Sequence, residues 1–208
     1  ARIIDAQSRV LPTPPRYFEL FQKITPEYDD FLLHFFYRGN FLCHSSALIR
    51  SAVFDRVGLY DNRFRQLPDF DMWIRIAKTG SIKVTDENLV RYRFLGERNT
   101  SSINNEDVLV RTRFEHLQIF SKFFNDLPEN QILDRFNGQP GFVPANESEQ
   151  FLPLSSRLLL KHPDHSLRKP AEIAGLQLAW SAADMRSESR GLHAATAETD
   201  VFSLRGAM

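Results

Sequence analysis

The sequence predicts an α/β fold that continues into a helical extension from about residue 106, and three patterns predict it. SIKVT and LVRYRF, at residues 81–85 and 89–94, alternate apolar and polar side chains as strands do. Phe70, Trp73, Ile74 and Ala77 recur at i, i+3, i+4 and i+7, which lays an apolar stripe along one helical face. Beyond about residue 105 the sustained apolar patterns are all helical.

From the N-terminus, ARIIDAQSRVLP sets Ile3/Ile4 and Val10/Leu11 about a polar centre, which predicts a small hairpin, and Pro12, Pro14 and Pro15 break the chain after it. YFELFQKI follows. In DDFLLHFFYRGN, Asp29 or Asp30 is placed to cap a helix carrying Phe31, Leu32, Phe35 and Phe36, and Gly39 to stop it. NFLCHSSALIR reads as two extended pieces around a polar kink. Ser51 suits the cap of a short helix over residues 51–57, with Gly58 just past its end.

Residues 59–68 form a polar, aromatic loop, and the helix that opens at Asp69 ends at Gly80. In LVRYRF, Val90, Tyr92 and Phe94 fall on one side and Arg91 and Arg93 on the other. A longer helix is predicted from near Asn105, its start favoured by Glu106 and Asp107, through Val110, Phe114, Leu117 and Phe124 to about residue 126. Further helices are predicted at about 129–136, 148–161 and 170–185. The tail from SESRGLHAA onward has no sustained periodicity and is expected to be frayed or loosely docked.

The totals exclude several classes. At 208 residues and 42% hydrophobic content the chain has material for one sizeable domain, or one domain with an appendage. Its 26 basic residues balance 26 acidic ones, so charge makes no case for nucleic acid or an anionic membrane. A single cysteine, Cys43, rules out an internal disulfide, and no apolar run approaches the roughly 18 residues of a membrane span. The chain therefore reads as soluble and cytoplasmic, and the sequons at Asn99 and Asn146 carry no weight. It opens at Ala1 in strand-like sequence, as an excerpt from a longer polypeptide would. Its 18 phenylalanines point to an aromatic core or to an acceptor groove lined with rings.

The chemistry centres on LPDFDMWIRIA, residues 67–77. A metal-binding D-x-D ends an apolar strand, whereas RFRQLP before Asp69 is not strand-like and helix follows. A helix N-terminus offers exposed N–H groups and the positive end of the dipole to a carboxylate. Asp69 is thus either a cap or a positioned base able to take a proton from a hydroxyl. Asp71 stands four residues before Arg75, at ion-pair spacing.

The wider stretch NFLCHSSALIRSAVFDRVGLYDNRFRQLPDFDMWIRIAKTGSIKVTDENLVRYRF resembles the second half of the catalytic domain of family 2 glycosyltransferases, inverting enzymes with a GT-A fold. An asparagine-led strand, an R-(S/R)-x-x-F-x-x-V-G-x-(F/Y)-D helix and turn, an (E/P)-D-(Y/F)-D-x-W-x-R-(I/L)-A-x-x-G helix, a strand and an L-x-x-Y-R strand follow in that order over roughly residues 1–105. The resemblance implies a partial GT-A fold in which Asp69 is the general base that deprotonates an acceptor hydroxyl. Asn40, His44 and Arg50 would border the cleft, Phe70 and Trp73 would pack beneath it or stack on a sugar, and Asp71 would lie on the substrate side.

The partners implied are a nucleotide sugar donor and a glycan or lipid-linked acceptor, with Mg²⁺ or Mn²⁺ held mostly by residues outside this chain. Three departures bear on this. The nucleotide-binding half with its metal D-x-D is absent, Pro68 stands where many relatives have glutamate, and Phe94, Leu95 and Gly96 follow Tyr92-Arg93 where many place a histidine. Weak donor binding is therefore expected of the chain alone. A non-catalytic binding or assembly module on the same architecture is the alternative, and an unpaired sheet edge would favour self-association.

Other residues offer less. His162 and His165 have a proline between them and no third ligand at the usual spacing, which predicts a solvated loop. Cys43 and His44, as strand neighbours, would face opposite sides. Arg91 and Arg93 would suit a diphosphate or simply an exposed strand face. No Gly-rich phosphate loop and no G-x-S-x-G elbow occurs.

Overall fold

The structure, a computed structural model, describes residues 1–12, 30–95, 106–140, 142, 145, 150 and 152–203, with side chains of the last helix described to residue 186. YFELFQKI, Asp29, Gly96, Asn99, Asn105 and Asn146 lie outside the described residues.

The predicted N-terminal hairpin survives as one antiparallel bridge, Ile4 to Val10, around a turn in which Asp5 Oδ1 accepts the N–H of Gln7 and of Arg9, each at 2.9 Å. The main partner of β1 (Arg2–Ile4) is instead β2 (Arg91–Arg93), in parallel, with Ile3 opposite Tyr92. Residues 81–85 form no strand. Ile82 and Val84 turn onto the core while Ser81, Lys83 and Thr85 face out, so their alternation records a half-buried extended chain with no ladder beside it among the described residues.

Helices make up most of what remains. Asp30 caps α1 (Phe31–Arg38) by accepting the Leu33 N–H at 3.1 Å, and Gly39, at φ 69°, ends it with its N–H on Phe35 O. In α2 (Ser51–Val57) the cap is Arg50, not Ser51: the chain enters extended at Arg50 and Ser51 is already helical. Pro68 is the first residue of α3 (Pro68–Thr79), one earlier than predicted, because a first-turn position needs no N–H donor.

α4 (Glu106–Lys122) is turned differently from its predicted stripe. Val110 and Phe114 are exposed, and Glu115, Ile119 and Phe120 are buried. α5 (Glu129–Phe136) has its predicted bounds, whereas α6 (Leu154–Leu160) is shorter than predicted because Pro153 precedes its first residue. α7 (Arg168–Ser203) runs well past residue 185: the alanine, glutamate, arginine and leucine content of the tail favours helix even without an apolar stripe.

One apolar cluster spans both sides of residue 105. At its centre the Phe36 ring meets Phe123 at 5.4 Å, Phe124 at 5.6 Å, Phe136 at 5.0 Å and the imidazole of His162 at 4.6 Å. Such ring pairs each contribute about 0.5–1.5 kcal/mol beyond their burial. α6 and α7 pack so closely that a Cβ at Gly175 would stand 3.0 Å from Ser156 O, and the Ser156 hydroxyl donates to Gly175 O at 2.8 Å.

His162 corrects the solvated-loop expectation, being 1% exposed. Its Nδ1 accepts the Asp164 N–H at 3.2 Å, so Nε2 carries the proton and donates to Phe36 O at 2.7 Å. Both ring nitrogens are occupied, and burial pushes the imidazole below its ordinary 6.5. The stability this residue supplies is complete above pH 6.5 and is lost as pH falls through the lower folded value. We expect chemical denaturation across pH 7.5 to 5 to show a shallower acid loss for His162→Gln than for the wild type. His116, also lowered by burial, accounts for part of the slope that remains.

Candidate functional site

The start of α3 is fixed from outside its own helix. Glu115 of α4, 2% exposed, accepts the N–H of Arg65 at 3.0 Å and those of Gln66 and Leu67 at 2.8 Å each. Those three residues lead directly into Pro68 and Asp69. Nothing local in the chain signals this role, since Glu115 lies about fifty positions along and its neighbours read only as helix.

Asp69 is half-buried, and its Oδ1 accepts the N–H of Phe70 at 2.9 Å. Among the described residues no cation pairs with it. It is a first-turn residue of α3 and not the cap, which is Leu67.

Asp71 goes elsewhere. Its Oδ2 binds Arg75 at 2.8 and 2.9 Å, and the guanidinium continues to the carbonyls of Val57, Gly58 and Leu59, tying the end of α2 to α3. On a helix, residues two apart do not share a face. The two carboxylates of this D-x-D therefore diverge, and Asp71 is held in the ion pair with Arg75 that its spacing predicts.

Trp73, four residues after Asp69, lies on the same helical edge but is 3% exposed, so it packs beneath the site and offers no open face to a sugar. Its Nε1–H is buried without a partner. The ring of His44, an exposed residue on the short helical turn His44–Ser46, meets it at 6.0 Å and 76°. His44 Nε2 lies 3.1 Å from the Tyr60 hydroxyl, and the two rings are 5.4 Å apart.

Tyr60 was not anticipated; its signal was an aromatic residue within a polar loop. Burial raises its phenol pKa, and the charge of Asp69 raises it further against the opposing effect of Arg75. The structure thus gathers Asp69, Trp73, His44 and Tyr60 at the start of α3. Phe70 is fully buried against Phe35 and His116.

The remaining candidates stand apart. Asn40 makes a local bond to the Leu42 N–H at 3.4 Å, and Arg50 is an exposed cap residue. Arg93, considered for a diphosphate, donates to the carbonyls of Asp5 and Ala6 and to the Ser8 hydroxyl at 2.8 to 2.9 Å, so its guanidinium is committed to that turn. Arg91 is exposed. Cys43 precedes the His44 turn and no strand runs there; the His44 imidazole is directed to Tyr60. A divalent cation does not fit these residues: among the described ones no three His, Cys, Asp or Glu side chains converge.

Compared with known proteins, the chain is 25% identical over 100 residues to an uncharacterized glycosyltransferase of Rickettsia conorii, a match covering 48% of this chain and 15% of that protein. No protein-family model matches, and no solved structure matches.

Removing the Glu115 carboxylate strands three N–H donors. We expect Glu115→Ala to lower stability by on the order of 3 kcal/mol, and Glu115→Gln, whose amide brings donors to face donors, by about 1–2 kcal/mol, read from urea unfolding midpoints. An alanine variant within about 0.5 kcal/mol of the wild type would show that these bonds do not hold the loop.

Proposed function

We propose that this chain takes part in glycosyl transfer from a nucleotide-activated sugar to a hydroxyl acceptor with inversion, and that Asp69 is the general base. The observation that carries the reading is a half-exposed carboxylate in the first turn of α3 with one N–H partner, no cation paired with it among the described residues, and polar side chains gathered beside it. The distant relative named as a glycosyltransferase supports transfer chemistry in general. Because the match covers 15% of that protein, donor binding is assigned to sequence outside this chain.

In this reading the acceptor O–H gives its proton to an Asp69 oxygen as the acceptor oxygen bonds to the sugar C1. On the opposite face the C1–O bond to the diphosphate breaks, and its electron pair leaves with the diphosphate. α3 presents the base, Glu115 fixes where α3 begins, and Trp73 supports the site from below. The parallel β1–β2 pair, too small to stand alone, is read as part of a larger GT-A type sheet. Any Mg²⁺ or Mn²⁺ would be held mainly by residues beyond this chain. No helix among the described residues is long and apolar enough to cross a membrane.

One observation favours a second reading, a non-catalytic binding or assembly module: Ile173, Leu176 and Trp180 on α7 are exposed at helical spacing. The two separate on one experiment. In a longer polypeptide that restores a nucleotide-binding half, donor hydrolysis or transfer is screened with a panel of nucleotide sugars. We expect Asp69→Asn to lower kcat by about 10²–10⁴. An unchanged rate removes Asp69 from the mechanism and leaves the module reading.

A further inference from the structure

Asp69 and Trp73 stack one turn apart on a single edge of α3, and the His44 ring stands against Trp73. His44 Nε2 holds the Tyr60 hydroxyl at 3.1 Å, and Phe54 supports the Tyr60 ring at 6.2 Å. The phenol is half-buried, and burial, with the charge of Asp69 adding to it, raises its pKa.

A phenol has one donor and two acceptor directions, and His44 takes one of them in either tautomer. At least one remains for a further partner. Beside the same imidazole, the Trp73 Nε1–H is buried without a partner, although buried donors are nearly always satisfied. The cluster is therefore polar without being self-satisfied, which distinguishes it from a packed structural network.

We propose that Tyr60, held by His44, is a second acceptor contact, binding the hydroxyl adjacent to the one that faces Asp69, so that the site selects molecules with neighbouring hydroxyl groups, as on a sugar ring, over those with one. The inference rests on the reading of Asp69 as the acceptor-side base. It adds a substrate class: a vicinal diol satisfies carboxylate and phenol together, whereas a lone alcohol leaves one of them to water. A binding site built to hydrogen-bond a hydroxyl discriminates against the analogue lacking it because its own polar group is then left unpaired.

The test reads binding alone. The ¹⁵N-labelled chain is titrated with trans-1,2-cyclohexanediol and with cyclohexanol, following the Trp73 indole N–H and the His44 ring by NMR. We expect saturable shifts with the diol at an affinity about tenfold above that of the mono-alcohol, the worth of one hydrogen bond. Tyr60→Phe, which removes only the hydroxyl, should bring the diol down to the mono-alcohol level, and His44→Ala should weaken it in the same direction. Equal binding of the two probes, no saturable shift with the diol, or a diol response unchanged in Tyr60→Phe overturns the proposal. None of these outcomes depends on transfer, so an inactive or unchanged Asp69→Asn enzyme bears on the base alone and the titration bears on Tyr60.

Discussion

Three backbone N–H groups converge on the buried carboxylate of Glu115, and the position of the candidate base follows from that convergence. Placing an anion in a protein interior costs several kcal/mol unless its lone pairs are engaged. Here charge-assisted bonds from consecutive residues engage both oxygens, so anion and loop specify each other. The residues that receive this constraint are the last ones before α3. At the far end of the same helix, Lys78 donates to the carbonyls of Lys122 and Asn125, and its burial draws its pKa down to about 8. Opposite charges thus fasten α3 to α4 at both ends.

The helices beyond residue 105 are consequently part of the same body as the region that carries Asp69. Phe36 of α1 sits among Phe120, Phe123, Phe124 and Phe136, and its carbonyl accepts from His162. Among the described residues, ten of the chain's 18 phenylalanines are buried in the apolar core to which these rings belong.

What the sequence made legible was local. The cap at Asp30, the stops at Gly39, Gly58 and Gly80, the bounds of α5 and the Asp71–Arg75 pair depend on residues within a turn of each other, and periodicity reports such relations. What it concealed was the identity of distant partners. The alternation of residues 81–85 registered one buried side but not the missing ladder, and the apolar residues of α4 did not reveal which face meets the loop at 65–67. Glu115 and His162 looked like ordinary surface residues because their partners lie 48 to 50 and 126 positions away. Of the site, Asp69, His44 and Trp73 were named from the chain, whereas Tyr60 needed the fold to bring it to His44.

The divergence of Asp69 and Asp71 separates two kinds of damage within three letters of sequence. On a strand, whose side chains repeat every second residue, the same spelling would aim both acids at one ion and make them fail together. Wound into α3, one acid is a rivet between α2 and α3 while the other, half-buried, holds the single N–H of Phe70. Harm at the rivet would register as a loosened joint, and harm at the other acid would leave that joint intact.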